Sequence, residues 1–358
     1  MNLFLRYTKD SLKKSSVDSQ PLNHFKHFIP TEPSKTELEE LITDVLKPQL
    51  GRKSEFKWLS PDDPCFLRAK AIWEKYQWPE QTFFNFRDLL CGCRNIPLIV
   101  LTNPKNDDLP FDDMVTETST LSWLKNVLHS CGLTLEDVMI MDLFPMLSDN
   151  RLDALDESQR DDVVQEIFGL TVGILSDIKP SIIISCQCFA RSPPARFRSF
   201  NHPVVDSLCS SMARATAQRV LTATIDNFET RVIQAFHPAK IDYEVGEKSA
   251  VLDRTLREIF KLVFSPCGEW KAKLEDFYTI ISEVHAAALK LSAFISTHEQ
   301  ILVTVNASRG HIETRSGEWP KLKNTLAELL DGISRVASVK TGRLAITTTL
   351  QEERSQCY

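Results

Sequence analysis

The sequence predicts an α/β protein, a three-layer α/β/α arrangement around a mostly parallel central sheet, followed by a C-terminal helical extension. Three observations predict it. Four short apolar stretches, residues 96–101 (IPLIVL), 137–144 (DVMIMDLF), 181–185 (SIIIS) and 231–236 (RVIQAF), have the length and continuity of strands buried on both faces. Each is followed by a loop and then by apolar residues at helical spacing, the alternation that builds a parallel sheet with helices on its faces. The 358 residues, 42% hydrophobic and 25% charged, have the composition of a globular protein with roughly two domains' worth of chain.

Element by element, residues 1–35 are polar, with Pro21, Pro30 and Pro33, and read as a disordered tail. Leu38, Leu41, Ile42, Val45 and Leu46 follow helical spacing behind Ser34 or Thr36 as cap, and Pro48 is expected to end that helix. A second helix is predicted over 63–76, and Phe83, Phe84 and Phe86 mark a core-facing segment within 79–93. Between the first two strands, Leu121, Leu124, Val127 and Leu128 mark a helix closed by Gly132. A long helix is predicted around Val163 to Leu175, another over 204–220, and a last one in the sheet domain over 251–263. Beyond Pro266-Cys267-Gly268 two apolar stripes, Phe277 to Ile295 and Leu322 to Val336, predict a helical region. The expected organisation is thus a tail at 1–35, an α/β domain at 36–268, a helical region at 270–340 and a tail at 341–358.

Several function classes are excluded. The balance of 42 basic against 48 acidic residues, net charge −6, does not make the whole surface a polyanion binder, so any nucleic-acid contact must use a local patch. No run of consecutive apolar residues reaches the ~18 needed to span a bilayer, and no membrane contact is expected. With no apolar leader in the first residues and an odd set of nine cysteines, reduced thiols and a nuclear or cytoplasmic location are expected. Neither a dinucleotide fingerprint nor a P-loop is present, Ser185 is not in a nucleophile elbow, and the pairs Cys91/Cys93 and Cys186/Cys188 lack zinc-site spacing. No cofactor or metal is expected. His24 and His27 lie in the tail without further ligands, and Asp107, Asp108, Asp112 and Asp113 read as solvated acids.

In open parallel sheets ligands bind beyond the carboxyl ends of the strands. Three such ends carry polar residues: Asn103-Pro104 after the first strand, Asp142 at the end of the second, and His237-Pro238 after the fourth. An Asn can hold a water by its amide, and a His can donate to a developing oxyanion. This layout, over roughly residues 96–264, resembles the uracil-DNA glycosylase superfamily. IPLIVLTNPKN is similar to the strand that ends in that family's water-activating motif, in the Asn-Pro form of the mismatch-specific branch. Pro110-Phe111 is similar to its base-stacking Pro-Phe, DVMIMDLFP to its second strand, and RVIQAFHPAKID to its closing His-Pro-Ser motif.

The resemblance implies a uracil-DNA glycosylase-like fold and a role for each matching residue. Asn103 would position or activate water, Phe111 would stack on a flipped base, Asp142 would contact its Watson–Crick edge, and His237 would stabilise charge on the leaving base. Five arginines against one aspartate in residues 187–219 offer a local basic loop for DNA, with Arg191, Arg196 and Arg198 as the phosphate contacts. The sequence departs from the family pattern at Leu101 and Lys105, where glycines are usual, at Ala239, where serine is common, and at Asp142, where asparagine is common. An ionised carboxylate has no donor for uracil O4, so the identity of the base stays open. Two alternatives stand beside the glycosylase reading. One is a catalytically inactive fold relative acting as a binding or scaffold protein, with a protein partner on the C-terminal helices. The other is an α/β enzyme acting on a free nucleotide-like substrate.

Overall fold

A computed structural model describes residues 35–186, 203–208, 210–309, 321 and 323–333. The expected tails, apart from Lys35, and the basic loop with Arg191, Arg196 and Arg198 lie outside these residues.

Thr36 caps helix α1 (Glu37–Leu41) through a reciprocal capping box with Glu39. The helix does not stop at Pro48. It passes through a π-helical turn, Ile42–Leu46, into α2 (Lys47–Gly51). The Lys47 N–H bonds back five residues to Ile42, so the register shifts just before Pro48, which has no N–H to place. Helices α3 (Pro64–Tyr76) and α4 (Glu80–Leu90) follow, and α4 buries Phe83 and Phe86. Strand β1 (Leu98–Leu101) leads through a loop to α5 (Phe111–Glu117) and α6 (Ser119–Ser130). Gly132, at φ 78°, ends α6 in the left-handed conformation that glycine adopts without steric cost. Then come β2 (Ile140–Asp142), α7 (Asp149–Ala154), α8 (Glu157–Ile178) and β3 (Ile182–Ser185).

The region predicted as one helix over 204–220 is different. It forms two short helices, α9 (Pro203–Leu208) and α10 (Met212–Thr216), and then a strand, β4 (Val220–Ile225). This strand turns through Asp226-Asn227 into β5 (Phe228–Gln234), and Asp226 takes the left-handed conformation of the tight turn at φ 48°. Alternation along β4 explains the strand: Ala223 and Ile225 are buried, Thr222 and Thr224 exposed.

The five strands form one sheet in the order β2-β1-β3-β5-β4, in which the first four run parallel and β4 is antiparallel at the edge. Alternate residues feed two cores. Ile99, Leu101, Ile140, Ile184 and Ile233 pack on one face with α6 and with Leu256, Ile259, Phe260 and Phe264 farther along the chain. Leu98, Val100, Met141, Ile183 and Val232 pack on the other with α3, α4 and α8. Each such side chain contributes ~1.5–3 kcal/mol on burial, which is why the strands read as continuous apolar runs.

After α11 (Lys240–Tyr243), helix α12 runs from Glu247 to Arg309 without the break expected at Pro266–Gly268. Pro266 sits inside it. Gly268 is where α12 meets the end of α6: a β-carbon there would lie 1.8 Å from the Cys131 carbonyl oxygen. The junction is tied by Lys271 Nζ on the buried Asp137 carboxylate at 2.6 Å and by Trp123 Nε1 on Asp253 at 2.8 Å. Trp270, Leu274 and Tyr278 are buried in the core, so the helical region begins as part of the sheet domain. Farther along, Ala288 and Ile295 are buried, while Phe277, Ile280, Val284, Leu291 and Phe294 are between 44% and 58% exposed. By length and composition the Glu247–His298 stretch is apolar enough to cross a bilayer, with a mean hydropathy of 1.2 in its most apolar window, which a count of consecutive apolar residues does not register. One such helix carries no membrane assignment by itself.

The close approach at Gly268 yields a stability test. Gly268→Ala drives an added methyl into the Cys131 backbone and is expected to lower unfolding free energy by at least ~1–3 kcal/mol. Gly169→Ala, in the interior of α8 with nothing near its added methyl, is expected to raise it by ~0.5–1 kcal/mol. Urea denaturation of the two variants checks both signs.

Candidate functional site

The chain turns left of β1 to form β2 and right of it to form β3, so the sheet order reverses between β1 and β3. At such a switch point the connections leave in opposite directions and open a crevice at the strand carboxyl ends. A cavity of about 640 Å³ lies there, within the range of small-molecule sites. Asn103, Asp142 and His237 all line it.

Each is placed by backbone geometry. Asp142 ends β2 directly beside Leu101. The loop that carries Asn103 is stitched to the extension of β2 by Leu143 N–H on Leu101 O at 2.9 Å and Phe144 N–H on Thr102 O at 3.0 Å. His237 lies three residues beyond β5, whose exit is held by Ala235 N–H on Ser185 O at 3.0 Å. The Asn103 loop is also braced from beneath: Asn85 Nδ2 donates to the carbonyls of Asp107 and Leu109 at 3.0 and 2.8 Å.

Asn103 Nδ2 donates to Asp149 Oδ1 at 3.0 Å, which leaves the amide oxygen as the acceptor. Asp149, at the start of α7, lines the same cavity and was not singled out by the sequence. His237 Nδ1 accepts from the Ala239 N–H at 3.3 Å, so the neutral ring carries its proton on Nε2. Burial, with a lesser push from the Lys240 charge, lowers the His237 pKa to about 4. Burial raises Asp142 to about 8, and the Asp107 carboxylate adds to the shift. Near neutral pH the imidazole is therefore uncharged and the carboxyl predominantly protonated.

Asp107 is not the solvated acid expected of it. It is 4% exposed and paired with Arg151, which also donates to Met146 O and Thr82 and lies over the Trp78 ring. Burial still raises its pKa, against the pull of Arg151. Asp108, Asp112 and Asp113 are exposed, as expected.

Phe111 is not brought to this cavity. As the first residue of α5 it turns into the core, 5% exposed, and borders a separate depression of about 340 Å³. A strand-end motif would leave the ring in a loop; here the helix begins at that residue and buries it. Met114 and Glu117 of α5 line the main cavity instead, and Tyr243, 79% exposed, is an aromatic residue at its wall. Arg191, Arg196 and Arg198 lie outside the described residues; the exposed Lys105 and Lys240 line the cavity. Cys91, Cys93 and Cys186 are buried thiols, and burial pushes Cys65 up to about 12, which leaves it inert as a nucleophile. Compared with models of known families and with curated protein sequences, this chain matches neither a family model nor a curated protein.

The opposed shifts predict the pH dependence of stability. Between pH 3.8 and about 8 native Asp142 keeps a proton that the unfolded chain has lost, so its contribution is complete at low pH and disappears as pH rises. Between pH 6.5 and about 4 the unfolded chain protonates His237 while the native ring stays neutral, so stability falls as pH drops. In urea denaturation, Asp142→Asn is expected to flatten the loss toward pH 8 and His237→Gln the loss toward pH 4. Unchanged slopes would place both groups in solvent.

Proposed function

We propose that this protein is a divergent relative of the uracil-DNA glycosylases, with their three-layer α/β/α arrangement, and that it hydrolyses the N-glycosidic bond of a base extruded from DNA. The observation that carries the reading is the convergence of Asn103, Asp142 and His237, from three separate strand ends, on one cavity.

The chemistry follows from the geometry. Asn103, its amide nitrogen anchored by Asp149, offers its oxygen to one hydrogen of a water and directs the water's lone pair at the sugar C1′. As the C1′–N bond breaks, its electron pair passes into the base and negative charge builds on a ring carbonyl oxygen. The His237 Nε2–H donates to that oxygen. The water oxygen stays on C1′ and its proton neutralises the released base. Lys105 and Lys240, which line the cavity, would meet the flanking phosphates, and pairing with Arg151 removes Asp107 from the charges that would repel them.

An oligonucleotide panel with uracil or other deaminated bases, read out as alkali-labile strand breaks, tests the proposal. Cleavage is expected, with Asn103→Ala and His237→Ala each slowing it by ~10²–10³. No cleavage by the native chain, or cleavage by both variants at the native rate, would overturn it.

A binding role for the helical extension is favoured by the exposed Phe277, Ile280, Leu291 and Phe294 on α12. On that reading a protein partner is lost on Ile280→Glu with Leu291→Glu, while the melting temperature of the sheet domain stays unchanged. A partner retained by that variant would sink it.

A further inference from the structure

This inference rests on the proposed function, because it specifies what the base pocket accepts. Two buried side-chain oxygens that line the cavity, Asp142 Oδ1 and Thr118 Oγ1, have no hydrogen-bond partner among the described residues. Buried polar atoms are almost always satisfied, and those left over in a cleft mark where a ligand's polar groups belong. We propose that the cavity takes a planar heterocycle whose edge carries one hydrogen-bond donor beside one acceptor, read by Asp142 as an undissociated acid, with O–H donating and C=O accepting.

The surroundings of Asp142 favour the acid over the carboxylate. Among the described residues no cation is directed at it. Arg151, from α7, is committed to Asp107, the Met146 carbonyl and Thr82. Asp107, on the loop after β1, carries the same sign of charge as an ionised Asp142 would. His237, beyond β5, is neutral, and Asp149, from α7, is engaged by Asn103. Lys105 and Lys240 are solvated at the cavity wall. A buried carboxylate without a partner is strongly disfavoured, and the upward shift of Asp142 to about 8 agrees.

The protonation state decides recognition. A carboxylate has two acceptors and selects an edge with two donors. The undissociated acid has a donor and an acceptor side by side, as a primary amide does. It therefore matches the N–H/C=O edge of uracil, and it restores the donor that an ionised aspartate lacks. Recognition should then weaken with rising pH, as Asp142 ionises.

The test is calorimetric binding of free uracil and 1,3-dimethyluracil to the full chain at pH 6 and pH 9, for the native protein, Asp142→Asn and Asp142→Leu. Native affinity for uracil is expected to fall about tenfold at pH 9 beyond any change in Asp142→Asn, which reports the titration of uracil itself. Asp142→Leu is expected to lose uracil, and 1,3-dimethyluracil, which has no ring N–H, is expected not to bind the native chain. Uracil bound equally well by Asp142→Leu, equal pH profiles for native and Asp142→Asn, or no uracil binding by the native chain would each overturn the inference. The two proposals fail separately. Uracil bound with the expected pattern by a chain that cleaves no oligonucleotide defeats the hydrolase reading alone, and cleavage insensitive to Asp142 and to pH defeats the recognition scheme alone.

Discussion

The parallel pairing of β1 with β2 on one side and β3 on the other is the constraint on which the rest of the structure depends. A central parallel strand buried on both faces must be apolar at every position, and Leu98, Ile99, Val100 and Leu101 are. Polar chemistry is thereby expelled to the strand ends. Parallel registry brings the ends of β1, β2, β3 and β5 to one rim, and the backbone bonds that continue the ladder past the last paired residues carry that order into the loops. Asn103 and His237 sit on irregular backbone, yet each stands within a few residues of a ladder bond that leaves the loop little freedom.

The long helix α12 serves the same rim from behind. It fills one face of the sheet with Leu256, Ile259, Phe260, Val263 and Phe264, all fully buried. Passing Pro266 without a break, it crosses the end of α6 at a point where only glycine fits. The buried pair of Lys271 and Asp137 fixes this crossing more than it adds stability, since desolvation offsets much of the attraction between such charges. Its far half carries apolar residues into solvent, so one continuous element joins the rigid sheet domain to an exposed hydrophobic stripe.

The strands were legible in the sequence because burial on both faces leaves an unbroken apolar run, and their order with intervening helices made the sheet legible too. Asn103, Asp142 and His237 were legible as residues following strands. Phe111 was not, since whether a ring after Pro110 stays in a loop or starts a helix depends on what α5 packs against. Asp149 and Tyr243 gave no signal: acids at helix starts and tyrosines in loops are common, and only the tertiary fold brings these two to the cavity. Asp107 was read as solvated because its partner, Arg151, is 44 residues away. The β4–β5 hairpin had a signal, the alternation before Asp226-Asn227, but the apolar residues at 204–220 also fit helical spacing. The continuity of α12 was hidden because a proline and a glycine are ordinarily stop signals, and here the long flanking helix overrides them.

The two titratable groups at the rim are displaced in opposite directions by a single cause. Burial penalises whichever form is charged, so it raises the acid and lowers the base, and both end up neutral near pH 7. On the proposed reading, a neutral imidazole has no full charge to stabilise a neutral bound base, so it spends little of its interaction on the ground state. Its N–H bond strengthens as charge accumulates on the acceptor, and in a low-dielectric cleft that difference is enlarged. On the proposed reading the acid likewise reads an uncharged edge without attracting stray cations into the pocket. If the chain acts on DNA as proposed, polyanion affinity falls to solvated groups such as Lys105 and Lys240, whose contacts weaken with salt, whereas recognition inside the cavity rests on short hydrogen bonds that salt screens little. Recognition and attachment are thereby separable: raising pH toward 9 should act on the first, and raising ionic strength on the second.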